Sequence, residues 1–102
     1  MKVFWTREAL QNLIGIEKYI AEDNSIAAVK LTDSLIKCAE SLSIHPEKGR
    51  IVPEFSIKTV RELIFHNYRI VYILKNRRIE ILTVFEGHKL LNKKYFINIS
   101  IS

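Results

Sequence analysis

The sequence predicts an α+β fold, with an N-terminal strand and a helical hairpin packed on one face of a mainly antiparallel four-stranded sheet. Three observations carry this expectation. Apolar residues recur at helical spacing between residues 9 and 42, they alternate at strand spacing between residues 59 and 85, and the links between periodic segments are short. The 102 residues suffice for one core, so residues 1–102 are read as a single domain with no internal repeat or linker.

The elements follow in order. Lys2 to Trp5 is a short strand-prone segment, and Thr6 is placed to cap the helix that follows. In that helix Ala9, Leu13, Ile16 and Ile20 form the apolar stripe, which Leu10 and Ile14 are expected to widen. Gly15 interrupts it, and close packing is the expected reason. Asp23-Asn24-Ser25 breaks the helix and caps a second, whose face carries Ala28, Leu31, Leu35, Cys38 and Leu42. So short a link makes an antiparallel hairpin with Lys18, Lys30, Asp33 and Lys37 toward water. His45-Pro46 ends the second helix, and Gly49 is expected to permit a tight turn.

Strands are then expected at about Thr59–Phe65, Tyr68–Leu74 and Arg78–Phe85. His66-Asn67 and Lys75-Asn76-Arg77 supply the turns. In the middle strand Tyr68, Ile70, Tyr72 and Leu74 share one face, while Arg69, Val71 and Ile73 share the other. Two helices cover one face of such a sheet, which leaves the other free to bind. The tail from Tyr95 to Ile101 alternates like a strand and is apolar enough to pair with a sheet edge or to be covered by a partner.

Composition narrows the function classes. Sixteen Lys and Arg against eleven Asp and Glu leave a net charge of +5 and a pI of about 9.5, a balance that suits nucleic acid or an acidic protein partner. The excess concentrates between Lys58 and Lys94, where nine basic residues face three glutamates. The apolar run at the N-terminus is too short for a signal peptide or membrane span, so a cytoplasmic protein without membrane contact is expected. One cysteine, Cys38, rules out an internal disulfide framework and reads as a small apolar residue. Three scattered histidines and that cysteine offer no metal-ligand spacing, and no glycine-rich phosphate loop is present. Neither metal nor cofactor is expected.

The early Trp5, the hairpin phrase YIAEDNSIAA, then HPEKGRIVPE, REL, NYRIVY and IEILTVFEG occur in an order that resembles the RelE/ParE superfamily of bacterial toxins. The likeness covers essentially the whole chain and is strongest toward the ParE-like branch. It implies the toxin of a two-gene type II toxin–antitoxin module, neutralised in a hetero-oligomer by a cognate antitoxin whose C-terminal segment wraps it. Growth arrest and plasmid or chromosomal maintenance are the implied biology. Two modes of action come with the resemblance. RelE-like members cut messenger RNA on the ribosome, using the RNA 2′-hydroxyl as nucleophile. ParE-like members poison DNA gyrase and need a binding surface.

The same resemblance suggests site residues. Arg69 of NYRIVY matches the arginine that contacts the scissile phosphate in the nucleases, although an ion pair with Glu54 or Glu62 accounts for it equally well. Glu54 of RIVPE falls where YoeB-like nucleases keep a catalytic glutamate, and it also reads as a loop carboxylate or as Arg69's partner. His88 lies near the place of their catalytic histidine. Tyr95 stands where RelE-like members put a base-stacking tyrosine, and Lys89 takes the place of a second arginine. Val60 and Glu62 replace the paired lysines expected before NYRIVY. Arg61 is close to them, but a strand neighbour points to the opposite face. Arg50, Arg61, Arg69 and Lys89 are the candidate contacts to nucleic acid or target, with ion-paired surface roles as the alternative for Arg50 and Arg61. The favoured reading is a gyrase poison. A ribosome-dependent endoribonuclease is the alternative, and an inactive antitoxin-binding homologue the third. A generic RNA-binding domain is weaker, because the strands show no solvent-facing aromatic pair.

Overall fold

The computed structural model describes residues 1–87. The expected tail strand, together with His88, Lys89 and Tyr95, lies outside the described residues. The elements are β1 (Lys2–Trp5), α1 (Arg7–Ala21), α2 (Ser25–Glu40), a 3₁₀ turn (Ser41–Ser43), β2 (Arg50–Ile51), β3 (Val60–Phe65), β4 (Tyr68–Lys75) and β5 (Arg78–Glu86). Both helices begin where capping chemistry places them. The Thr6 hydroxyl accepts from Ala9 N–H, and the Asn24 carboxamide oxygen accepts from Ala27 N–H.

The sheet has the order β1-β5-β4-β3-β2, with β1 parallel to β5 and the other pairs antiparallel. It therefore has five strands rather than the expected four. The additional one is β2, whose Arg50 and Ile51 oppose Glu62 and Arg61. Two residues are too few for any apolar period to announce.

On the helical face, Leu35, Leu42, Ile70, Tyr72, Ile79 and Ile81 are fully buried with Ala9 and Ala39 among them. Leu10 and Ile14 do not widen this stripe, for both are about half exposed. At roughly 100° per residue they lie too far around α1 from Ala9 to reach the sheet. Nor does close packing explain Gly15, since a Cβ there would meet nothing within 4 Å.

Helix α1 is fastened to an irregularity in β5. Val71 opposes Thr83 and Tyr72 opposes Ile81, so Leu82 is one residue too many and forms a bulge. The Thr6 hydroxyl donates to the Ile81 carbonyl at 2.7 Å, with the Leu82 carbonyl at 3.2 Å. Asn12 Oδ1 accepts from Val84 N–H at 3.0 Å and from the Thr83 hydroxyl at 2.8 Å. These bonds give the disturbed backbone partners that the ladder no longer supplies.

The second face of the sheet is not free, contrary to the sequence expectation. The segment after β2 turns back over it, and Val52 and Phe55 pack on Val60, Val71, Ile73 and Leu82 as a second buried cluster. Ser56, in the left-handed region at φ 54°, helps to reverse the chain there.

Tyr72 ties the preceding loop down. Its buried hydroxyl donates to the Pro46 carbonyl and accepts from Gly49 N–H, both at 2.9 Å. Gly49 has no positive φ, so backbone freedom is not what this position requires. It requires space, because a Cβ would stand 2.6 Å from both the Glu62 carbonyl oxygen and the Tyr72 hydroxyl.

Two outcomes are expected. Gly49→Ala should lower unfolding free energy by about 1–3 kcal/mol in a denaturant titration, since neither backbone nor ring can yield without loss of a hydrogen bond. Burial pushes the Tyr72 phenol above its usual value of 10.0, partly offset by Gly49 N–H, and burial followed by Glu86 moves Tyr68 the same way. The native state then keeps protons that the unfolded chain releases. Stability is complete below about pH 10 and falls as pH rises through the raised values. Thermal melts over that range should decline less steeply for Tyr72→Phe, from a lower starting point.

Candidate functional site

The charged residues that the sequence singles out converge on the loop-covered face of β3 and β4. Arg69 on β4 and Glu62 on β3 are diagonal neighbours there, because Glu62 opposes Val71 and Arg69 opposes Ile64. Arg50 arrives from β2, opposite Glu62, and Glu54 from the segment folded above.

Together they form a chain of alternating charge. Arg50 Nε donates to Glu62 Oε2 at 2.6 Å, and Arg69 Nε donates to Glu62 Oε1 at 2.6 Å. Beyond it, Arg69 Nη1 and Nη2 donate to the two oxygens of Glu54 at 2.8 and 2.9 Å. This last contact is a two-pronged guanidinium–carboxylate pair, the strongest geometry open to an arginine. The Glu62 side chain is 0% exposed and that of Arg69 8%, while Arg50 reaches solvent at 58%. The Phe85 ring lies 5.3 Å from the Arg69 guanidinium carbon. Hydrogen bonding to Glu54, against the opposing effect of burial, and then Glu62 raise the already high pKa of Arg69 further. Arg69 is a permanent cation, held by two carboxylates.

The structure thus brings Arg69, Glu54 and Arg50 together and adds Glu62 as the hub. Sequence reasoning offered Glu54 or Glu62 as partner to Arg69, whereas the guanidinium uses both at once. Arg61 is elsewhere, on the opposite face as strand alternation requires. It staples loops, with Nη1 donating to the Gly49 and Glu47 carbonyls and Nε to the Lys58 carbonyl. Val60, at one of the positions where lysine was expected, is buried in the second apolar cluster. Among the described residues, no three His, Cys, Asp or Glu side chains gather as metal ligands would, and no helix is long and apolar enough to cross a membrane.

A groove of about 510 Å³ opens on the helical side of the sheet, between α1 and the ends of β4 and β5. Asn12, Gly15, Tyr19, Tyr68 and Glu86 are among its lining. The bare backbone at Gly15 widens it, which is the observable consequence of that glycine.

Two helices on a sheet with this strand order, and a buried arginine–glutamate chain on its far face, can be set beside known proteins. Residues 3–91 match the family of the ParE toxin of the type II toxin–antitoxin system parDE. The chain belongs to the ParE toxin family. Among curated relatives, "Putative toxin Y4kP" of Sinorhizobium fredii is 33% identical over 90 residues, covering 86% of this chain and 90% of that protein. Toxin RelE2 of Caulobacter vibrioides is 36% identical over 63 residues, covering 62% and 67%. Among solved structures, the chromosomal ParDE toxin–antitoxin system of P. aeruginosa superposes with a TM-score of 0.71 at 22% identity, over 84% of this chain and 95% of that one. That likeness confirms the ParE-type fold.

For this ParE-family chain the buried lattice makes a stability prediction. Arg69→Met should cost about 3–5 kcal/mol in denaturant unfolding, because it takes the partner of Oε1 from the fully buried Glu62 carboxylate and leaves Arg50 alone to match it. Adding Glu62→Leu should restore much of that loss, since an apolar replacement of the pair removes the buried charge and leaves the largely exposed Arg50 to water.

Proposed function

We propose that this chain is a growth-arresting toxin that acts by ParE-like poisoning of DNA gyrase and is neutralised by a cognate antitoxin. The observation that carries the proposal is the neutralisation of Arg69 by Glu54 and Glu62. Cleavage of RNA through its 2′-hydroxyl needs a base, an acid, and cations around a phosphate whose charge grows in the transition state. For Arg69 to serve there it would have to release Glu62, a carboxylate with no solvent of its own. A poison has no such need, for it works through the surface it presents.

Other features support a binding role. Leu10 and Ile14 on α1, with Ile26 and Val29 on α2, are exposed apolar residues on the helical hairpin, of the kind that interaction surfaces use. The net charge of +5 suits an acidic antitoxin segment. In this reading Arg69 and Glu54 hold the fold, Arg61 holds loops, and Arg50 is the member of the lattice best placed to touch a target. Lys89 remains a proposed contact on sequence grounds alone, and His88 and Tyr95 have a role only in the nuclease reading.

The second reading, a ribosome-dependent endoribonuclease, rests on Arg69, Glu54, His88 and Tyr95 as a working set. Expression without antitoxin separates the two. Induction of the SOS response with translated messages intact is the expected result. Cuts at codon-defined positions in translated messages, without SOS induction, would overturn the gyrase reading. The same experiment on Arg69→Met alone would not decide the matter, because its loss of stability would remove either activity.

A further inference from the structure

One corner of the loop-covered face lies away from the Arg69 lattice, at the β1 edge of the sheet. Lys2 opposes Arg78 across the β1–β5 pair, and Lys75 opposes Arg78 across the β4–β5 pair. Three cations therefore stand side by side on one rung of three adjacent strands. With strands about 4.8 Å apart, that rung spans roughly 10 Å. On the next rung of the same face are Phe4, Glu80 and Ile73. Ile73 is buried, but Phe4 is 47% exposed. The turn between β4 and β5 adds Arg77, exposed and at φ 67°.

Like charges directly opposite one another destabilise a sheet, so this rung opposes local stability. One carboxylate relieves it in part. Glu80 meets Arg78 at 2.8 Å and Lys75 at 3.4 Å. Lys2 and Arg77 make no ion pair among the described residues. The contrast with the Arg69 lattice is direct, for there two cations meet two carboxylates and leave no net charge. Here four cations share one. The Arg78 guanidinium carbon also lies 5.9 Å from the Phe4 ring centroid, so the excess charge is arranged around an exposed aromatic ring. A local conflict that one carboxylate offsets only in part is of the kind that sequences retain at functional positions.

We propose that Lys2, Phe4, Lys75, Arg77 and Arg78 form a binding site for single-stranded nucleic acid. The cations take neighbouring backbone phosphates, and an unstacked base lies against Phe4. The aromatic ring selects this partner over an acidic peptide, which would use the cations alone. It also selects it over a duplex, whose bases are already stacked. The site stands whether or not gyrase is the target, because it calls for direct contact with nucleic acid in the absence of any enzyme.

The test is fluorescence anisotropy of a labelled 15-nucleotide oligo(dT) with the purified full-length chain, across a salt series, with thermal melts of each variant as a folding control. Lys2→Ala with Arg77→Ala should weaken binding and flatten the plot of log affinity against log salt by about 1.4, roughly 0.7 for each phosphate contact removed. Phe4→Ser should weaken binding about five-fold or more without changing that slope, and Phe4→Trp should retain or strengthen it. Lys30→Ala with Lys37→Ala, on the helical hairpin, should leave both quantities unchanged. The proposal is overturned if oligo(dT) does not bind at low salt, or if the Lys2/Arg77 variant binds as wild type. It also fails if the hairpin variant loses as much, if Phe4→Ser is silent in a folded protein, or if a glutamate-rich peptide or duplex binds as tightly as oligo(dT).

Discussion

A carboxylate with no exposed surface has to be met by cations or hydrogen-bond donors, and Glu62 is such a group on β3, between β4 and the short β2. Much of the chain between residues 49 and 69 is arranged to meet it. Arg50 reaches Glu62 only because Arg50–Ile51 lies alongside β3, which is why the sheet gains a fifth strand. Arg69 reaches it from β4, and Glu54 comes down from the segment above to meet the Nη groups at the far end of the guanidinium. That segment brings Val52 and Phe55 with it, and they close the second apolar cluster. The close approach at Gly49 belongs to the same region, since the Glu62 carbonyl leaves no room for a side chain there. One buried charge thus links the short strand, the covering loop and the sheet.

The same interaction bears on function. An arginine on an apolar strand face invites a catalytic reading, and resemblance to the nucleases strengthens the invitation. Geometry gives it another occupation. Its three donor nitrogens face two carboxylates, and a phenylalanine ring lies beside them. The chain belongs to the ParE toxin family, and a toxin named RelE2 stands among its curated relatives.

Most of the fold was legible in the sequence because its elements are long and periodic. Ala9, Leu13 and Ile16 on α1, and the alternation through Tyr68–Leu74, mark their faces without help from tertiary structure. Thr6 was legible as a cap by its chemistry. What escaped was non-local. The pairing of Arg50–Ile51, the bulge at Leu82 and the grip of Asn12 upon it depend on chain segments distant in sequence, and no local period encodes them. Leu10 and Ile14 misled because a helical stripe read generously includes positions that the sheet cannot reach. At the candidate site both partners of Arg69 were visible as alternatives, but not their simultaneous use. The Lys2–Arg78–Lys75 rung was invisible for a different reason. It exists only through the parallel pairing of the first strand with the last described one.

The arginines of this chain therefore divide into those held by the fold and those facing solvent. Nitrogen-15 NMR of the arginine side chains measures that division directly. The expected result is an Arg69 Nε–H that exchanges slowly with water and does not move when oligo(dT) is added, while the Nε–H of Arg78 shifts. An Arg69 Nε–H that exchanges as rapidly as an exposed side chain, and shifts on adding nucleic acid while Arg78 stays still, would contradict it.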